Sequence, residues 1–124
     1  MIAAGAVLAA CGSRGIQVHG QSADIENGAK LFSARCSGCH TMDIVGAEGG
    51  ATSVNDRERV DGPNFNVRKE QREQVLYAIR NGGFSGAIMP ENIAVGKAAD
   101  DIAAFLAKYS GRGGSNAAPA SGTP

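Results

Sequence analysis

Cys36, Ser37, Gly38, Cys39 and His40 form a C-x-x-C-H run. Two thiols at i and i+3 lie on one side of a helical turn, where each can add to one vinyl group of a porphyrin. The adjacent imidazole can then reach the iron. The run reads as a covalent c-type haem attachment site, with Cys36 and Cys39 as the thioether positions, His40 as an iron ligand and one haem c per chain. A zinc site would need four convergent ligands, and outside the run the chain offers only Cys11, His19 and carboxylates. A thioredoxin-like dithiol expects a strand before the motif, whereas a helical pattern precedes it here.

The second axial position decides between an electron carrier and a ligand-binding or catalytic haem. The candidates are Met42, Met89 and His19. Met42 is too near His40 in the chain to reach the opposite haem face and reads as a partly buried packing residue. His19 reads as a solvated loop histidine. Met89, in Gly86-Ala87-Ile88-Met89-Pro90, lies far along the chain in an inter-helix loop. That loop can cross the far face, with Pro90 setting the backbone just after the ligand. Met89 is the expected second metal ligand.

Three helical patterns must position these residues. Ile25, Ala29, Phe32 and Cys36 make one apolar stripe running into the motif, with Asp24 and Glu26 near its start. A second pattern covers about 69 to 80, with Val75, Leu76 and Ile79 as its stripe and Asn81-Gly82-Gly83 as its stop. The third runs from about 98 to 109 through Ile102, Phe105, Leu106 and Tyr109, with Asp100 and Asp101 in its first turn and Gly111 beyond. No segment alternates as a strand does, and Ile44 to Asn66 reads as a long surface loop. The expected class is all-α: a small domain over 24–110 with three main helices and long loops wrapped around one covalent haem.

The flanks read differently. Met1 to Ala10 is apolar but far shorter than the roughly 20 residues of a membrane-spanning helix. It resembles the core of a secretory signal, and Leu8-Ala9-Ala10-Cys11 resembles a lipoprotein lipobox, although no Lys or Arg precedes it. Residues 1–11 are therefore the signal or lipobox-like segment, with Cys11 the lipid-bearing candidate. Residues 12–23 read as a flexible tether and 111–124 as a disordered, low-complexity tail.

Composition limits the function. With 124 residues the chain holds one compact core, and with only 5% aromatic residues and no Trp that core is thin without a porphyrin. The formal charge is zero, which gives no basic face for nucleic acid. All 12 carboxylates fall within 24–110 while Arg14 and Arg112 fall outside, which leaves the domain about two charges negative.

Glu26 to Phe32 leading into Cys36–His40, Gly62-Pro63-Asn64-Phe65, Tyr77 to Gly82 followed by Met89-Pro90, and Asp101 to Leu106 together resemble a class I c-type cytochrome. The resemblance covers roughly 24 to 110 and implies the small cytochrome c-like fold. It implies that the first and last helices cross at Gly28, with Phe32 against Ile102 and Phe105. It also implies that the Pro63 carbonyl accepts the Nδ1–H of His40, which makes Pro63 part of the cofactor site. The chain departs from compact members in the excess length of Gly46 through Val60, and Arg57, Arg59, Arg68 and Arg72 are all candidate propionate partners. The function implied is that of a monomeric, mono-haem electron carrier with no substrate chemistry of its own. It would be exported to the periplasm or the outer face of the bacterial cytoplasmic membrane, and its partners would be redox proteins, chiefly membrane respiratory complexes. The alternatives are a haem enzyme or ligand sensor with an open sixth site, and a haem subunit of a larger oxidoreductase.

Overall fold

The computed structural model describes residues 15–83 and 88–113. Three helices carry the fold: α1 (Ala23–Arg35), α2 (Arg72–Asn81) and α3 (Gly96–Tyr109). Between α1 and α2, two-residue strands β1 (Thr41–Met42) and β2 (Ala47–Glu48) pair antiparallel, and single 3₁₀ turns form at Asp43–Val45 and Val54–Asp56. The all-α architecture agrees with the sequence reading.

Helix α1 begins with Asp24 and Glu26 in its first turn, where carboxylates complement the exposed N–H groups. It buries Gly28, Ala29 and Phe32. These residues pack against α3, which buries Ala99, Ile102, Ala103, Phe105, Leu106 and Tyr109. Gly28 permits the crossing, because a Cβ there would sit inside 3.0 Å of the Asp101 carbonyl and 2.9 Å from the Phe105 Cβ. Phe32 and Phe105 then meet with ring centroids 5.8 Å apart. Helix α2 packs on α3 through Val75, Leu76 and Ile79. It opens with a reciprocal capping box between Gln71 and Gln74.

Asp101 differs from its sequence reading. Helix α3 starts at Gly96, so Asp100 and Asp101 lie in its second turn, and the first turn holds no acid. Asp101 is buried at the crossing instead, and its carboxylate accepts from Asn27 Nδ2 and from Lys97 Nζ, both at 2.7 Å. Burial pushes this carboxyl's pKa up, but the hydrogen bonds from Lys97 and Asn27 outweigh it and hold the pKa below the ordinary 3.8. The ionised form therefore stabilises the fold above that value. This contribution is lost as the pH falls through the lowered native pKa.

Two further readings need correction at the edges. The stretch expected as a tether is packed from Ile16 onward: Val18 is 3% exposed, Gln17 donates its N–H to the Ile44 carbonyl at 2.8 Å, and Lys108 Nζ reaches Gln21. Apolar Ile16 and Val18 bury surface here that their polar neighbours hide in a composition count. At the other end Gly111 and Gly113 donate to the carbonyls of Phe65 and Asn66 at 2.8 and 2.6 Å. The packed body thus extends through 113, and the remainder of the expected tail lies outside the described residues.

Gly28→Val tests the crossing. The branched side chain meets backbone rather than a yielding side chain, so the variant should lose about 3 kcal/mol or more in denaturant unfolding; unchanged unfolding would contradict the packing.

Candidate functional site

The motif continues α1 as a turn. Cys36 donates its N–H to Phe32 O at 2.8 Å, and both Cys39 and His40 donate to Cys36 O, at 3.2 and 3.0 Å. Ser37 Oγ donates back to Ser33 O at 2.6 Å, which ties the turn to the helix. Cys36 is half-buried and Cys39 exposed. Burial pushes the Cys36 thiol up to about 11.

His40 is 8% exposed, and its Nδ1 lies 3.1 Å from the Pro63 carbonyl. A carbonyl only accepts, so Nδ1 carries the proton and the Nε2 lone pair is left as the ring's donor. Burial pushes the imidazole pKa down; the Pro63 bond opposes this, and the positive field of Arg68 adds to it. The ring stacks on Phe65, with centroids 4.8 Å apart and planes 16° apart. Gly62 is the bearing beneath it: a Cβ there would come within 2.5 Å of Nδ1 and 2.7 Å of Nε2.

The segment read as a long surface loop is exposed from Thr52 to Val60 as expected, but its two ends support the motif. Gly49 donates to His40 O at 3.1 Å, and a Cβ on Gly49 would strike the backbone of Ser37 and Gly38. Thr41 Oγ1 accepts from the Gly50 N–H at 3.0 Å and donates to the Gly50 carbonyl at 2.7 Å. Gly62 donates to Cys39 O at 2.7 Å. Val45, Ala47, Gly50 and Phe65 are buried. A run of polar and glycine residues conceals this support because its contacts are made by backbone. The only sequence signal was the Gly49-Gly50 pair.

Cys36, Cys39, His40, Pro63 and Met89 line one cavity of about 230 Å³, together with apolar Phe32, Phe65, Val75, Ile79, Ile102 and Leu106. Met89 is half-buried against the core. Met42 is 1% exposed, so it is a fully buried core residue rather than a partly buried one, and it does not line the cavity. His19 is exposed and lies outside the cavity. Gly86 and Ala87, which precede Met89, and Cys11 lie outside the described residues. Among the described residues no three His, Cys, Asp or Glu side chains converge. An imidazole, a thioether and two thiols around an apolar cavity suit a covalently held haem.

Residues 23–106 match the family model of cytochrome c oxidase, cbb3-type, subunit III. Among solved structures the chain is similar to the c-type cytochrome SorU from Sinorhizobium meliloti, with 24% identity over 76% of this chain and 99% of that one, at a TM-score of 0.59. This likeness shows the cytochrome c fold. No curated protein matches.

Gly62→Ala should displace the His40 ring from its seat and lower the unfolding free energy by about 1 to 3 kcal/mol or more. Gly38→Ala, where a Cβ would meet nothing within 4 Å, should unfold as the parent does. Equal behaviour of the two variants in denaturant titration would contradict the role of Gly62.

Proposed function

This chain belongs to the cbb3-type cytochrome c oxidase subunit III family, and we propose that it is an exported mono-haem electron carrier of a respiratory or related electron-transport chain. In this reading Cys36 and Cys39 hold the haem c that such a domain carries. His40 and Met89 ligate the iron, and Pro63 fixes the His40 tautomer. The observation that carries the reading is the gathering of all five residues around one apolar cavity, with the His40 proton already committed to Pro63.

The bound haem supplies a one-electron Fe(III)/Fe(II) couple. What the chain's residues contribute is the setting. A thioether from Met89 favours the softer Fe(II) and raises the potential. The Pro63 bond makes His40 a better donor. Phe32, Phe65, Ile102 and Leu106 line the pocket with apolar surface. With His40 and Met89 both bound to the iron no position would be left for substrate, and the reading is therefore a carrier rather than a haem enzyme or ligand sensor. The family is that of an oxidase subunit, so the second reading is a haem subunit docked on a larger oxidoreductase.

The membrane reading rests on Leu8-Ala9-Ala10-Cys11. A lipid on Cys11 would be joined to the packed segment at Ile16 through residues 12 to 15 alone, a span of about 15 Å at full extension. Such a domain would stay close to the outer face of the membrane. Among the described residues no helix is long and apolar enough to cross a membrane.

Haem should remain with the polypeptide in acid acetone; extraction into the organic phase would sink the attachment. Met89→Ala should keep the haem but give a high-spin or water-ligated spectrum, a lower potential and rapid cyanide binding. Met42→Ala should cost about 2 to 5 kcal/mol of stability without these spectral changes. The reverse pattern would exchange their roles.

Cys11→Ser should release a spectrally normal holoprotein from membranes. Native protein that starts at Met1, or a cleaved soluble form without added lipid mass, would remove the lipid anchor from the reading.

A further inference from the structure

The segment Gly46 to Val60, whose length departs from compact cytochromes, brings two arginines to the cavity mouth. Charged side chains in the cavity wall are confined to Arg35, Arg57, Arg59, Arg68, Asp61 and Glu70. Arg68 is already committed, with its Nε 2.6 Å from Glu70 Oε1. Asp61 Oδ2 accepts the Glu58 N–H at 2.6 Å. Arg35 sits in the last turn of α1, where its charge complements the helix C-terminus. Arg35 is unpartnered among the described residues but is the single cavity-lining cation on that helix, whereas Arg57 and Arg59 are two cations carried by one segment. Both are exposed, and among the described residues neither makes a hydrogen bond or an ion pair.

Their placement is specific. Arg57 is extended, at φ −72° and ψ 124°, and Arg59 enters the turn that follows it. Both side chains line the cavity, while that of Glu58 between them does not. The segment is also held at both ends. Gly49 and Gly50 are seated on the attachment motif, and Gly62 bonds to Cys39 O. A local turn, in which Glu58 and Asp61 exchange hydrogen bonds at 2.6 and 3.2 Å, closes immediately after the pair. Two guanidinium groups are thus presented at the mouth of an apolar cavity, on a domain that is about two charges negative overall.

We propose that Arg57 and Arg59 clasp the two propionate carboxylates at the exposed edge of the haem, so that the long 46–60 segment is a propionate clamp. This rests on the haem attachment argued above. A haem carries two carboxylates side by side on one edge, and the arginine fork is the side chain best matched to a carboxylate. The same chain segment then holds the cofactor twice: its arginines grip the propionate edge, and Gly62 and Pro63, a few residues on, seat the proximal imidazole.

The test uses the full-length holoprotein with Arg57→Gln, Arg59→Gln and the double variant, read by redox titration from about pH 5 to 9, a range that spans a carboxyl group raised from its ordinary value. Loss of a cation beside a propionate stabilises Fe(III) and makes the propionate harder to ionise. Each variant should therefore lower the midpoint potential and move the acid inflection of its pH profile upward, with the double variant showing the larger shift. Arg57→Lys with Arg59→Lys should recover part of the potential, and Arg80→Gln, on α2 away from the cavity, should change neither quantity. Acid-acetone retention of haem in every variant separates this result from failure of the attachment itself. A double variant with the parent's potential and inflection would overturn the clamp. So would a variant altered only in the salt dependence of electron exchange with a redox protein, which would make the pair a docking surface for an acidic partner.

Discussion

The hydrogen bond from His40 Nδ1–H to the Pro63 carbonyl is the constraint on which the rest of the structure depends. It settles which imidazole nitrogen carries the proton, and therefore which one can donate to iron. A single 3.1 Å contact could not hold a ring in place by itself. It is made effective by close packing: Phe65 stacks on one side, Phe32 approaches with centroids 6.1 Å away, and the bare Cα of Gly62 leaves the room a methyl group would take.

The two aromatic supports are tied to the helices. Phe32 comes from α1 and is fixed by Phe105 across the Gly28 crossing. Phe65 is held by the N–H of Gly111 beyond the end of α3 and by its own N–H to Thr41 O at 2.9 Å. Asn66 exchanges two 2.9 Å side-chain hydrogen bonds with Asp43, and buried Ser110 Oγ accepts the Glu70 N–H at 2.8 Å. The helices thus act on the imidazole through short loops whose polar groups are satisfied internally. His40 acquires a defined orientation because loosening it would break several such bonds together.

The excess length between motif and proline is consistent with this logic. Its first half is a backing for the attachment turn, built from glycines that approach the backbone closely. Its second half is exposed and charged, and it projects Arg57 and Arg59 over the cavity. One segment therefore contains both a part whose sequence is limited by sterics and a part whose sequence is open to electrostatic use.

Much was legible in the residues alone. The C-x-x-C-H run named the cofactor because covalent attachment demands particular atoms at a fixed local spacing. The three helices were legible because an apolar stripe repeats with the helix period: Phe32, Ile79 and Phe105 fell where the structure buries them. The Gly28 crossing and the Pro63 bond came from resemblance, and the structure shows both. Other features depended on contacts between residues far apart in the chain, which no local pattern encodes. Asp101 read as a helix-start acid and is a buried bridge to Asn27. Ile16 and Val18 read as tether and are packed. Gly49, Gly50 and Gly62 carry no side chain to announce a role, and only the tertiary structure, by bringing backbone against backbone and imidazole, decided that these positions must be glycine.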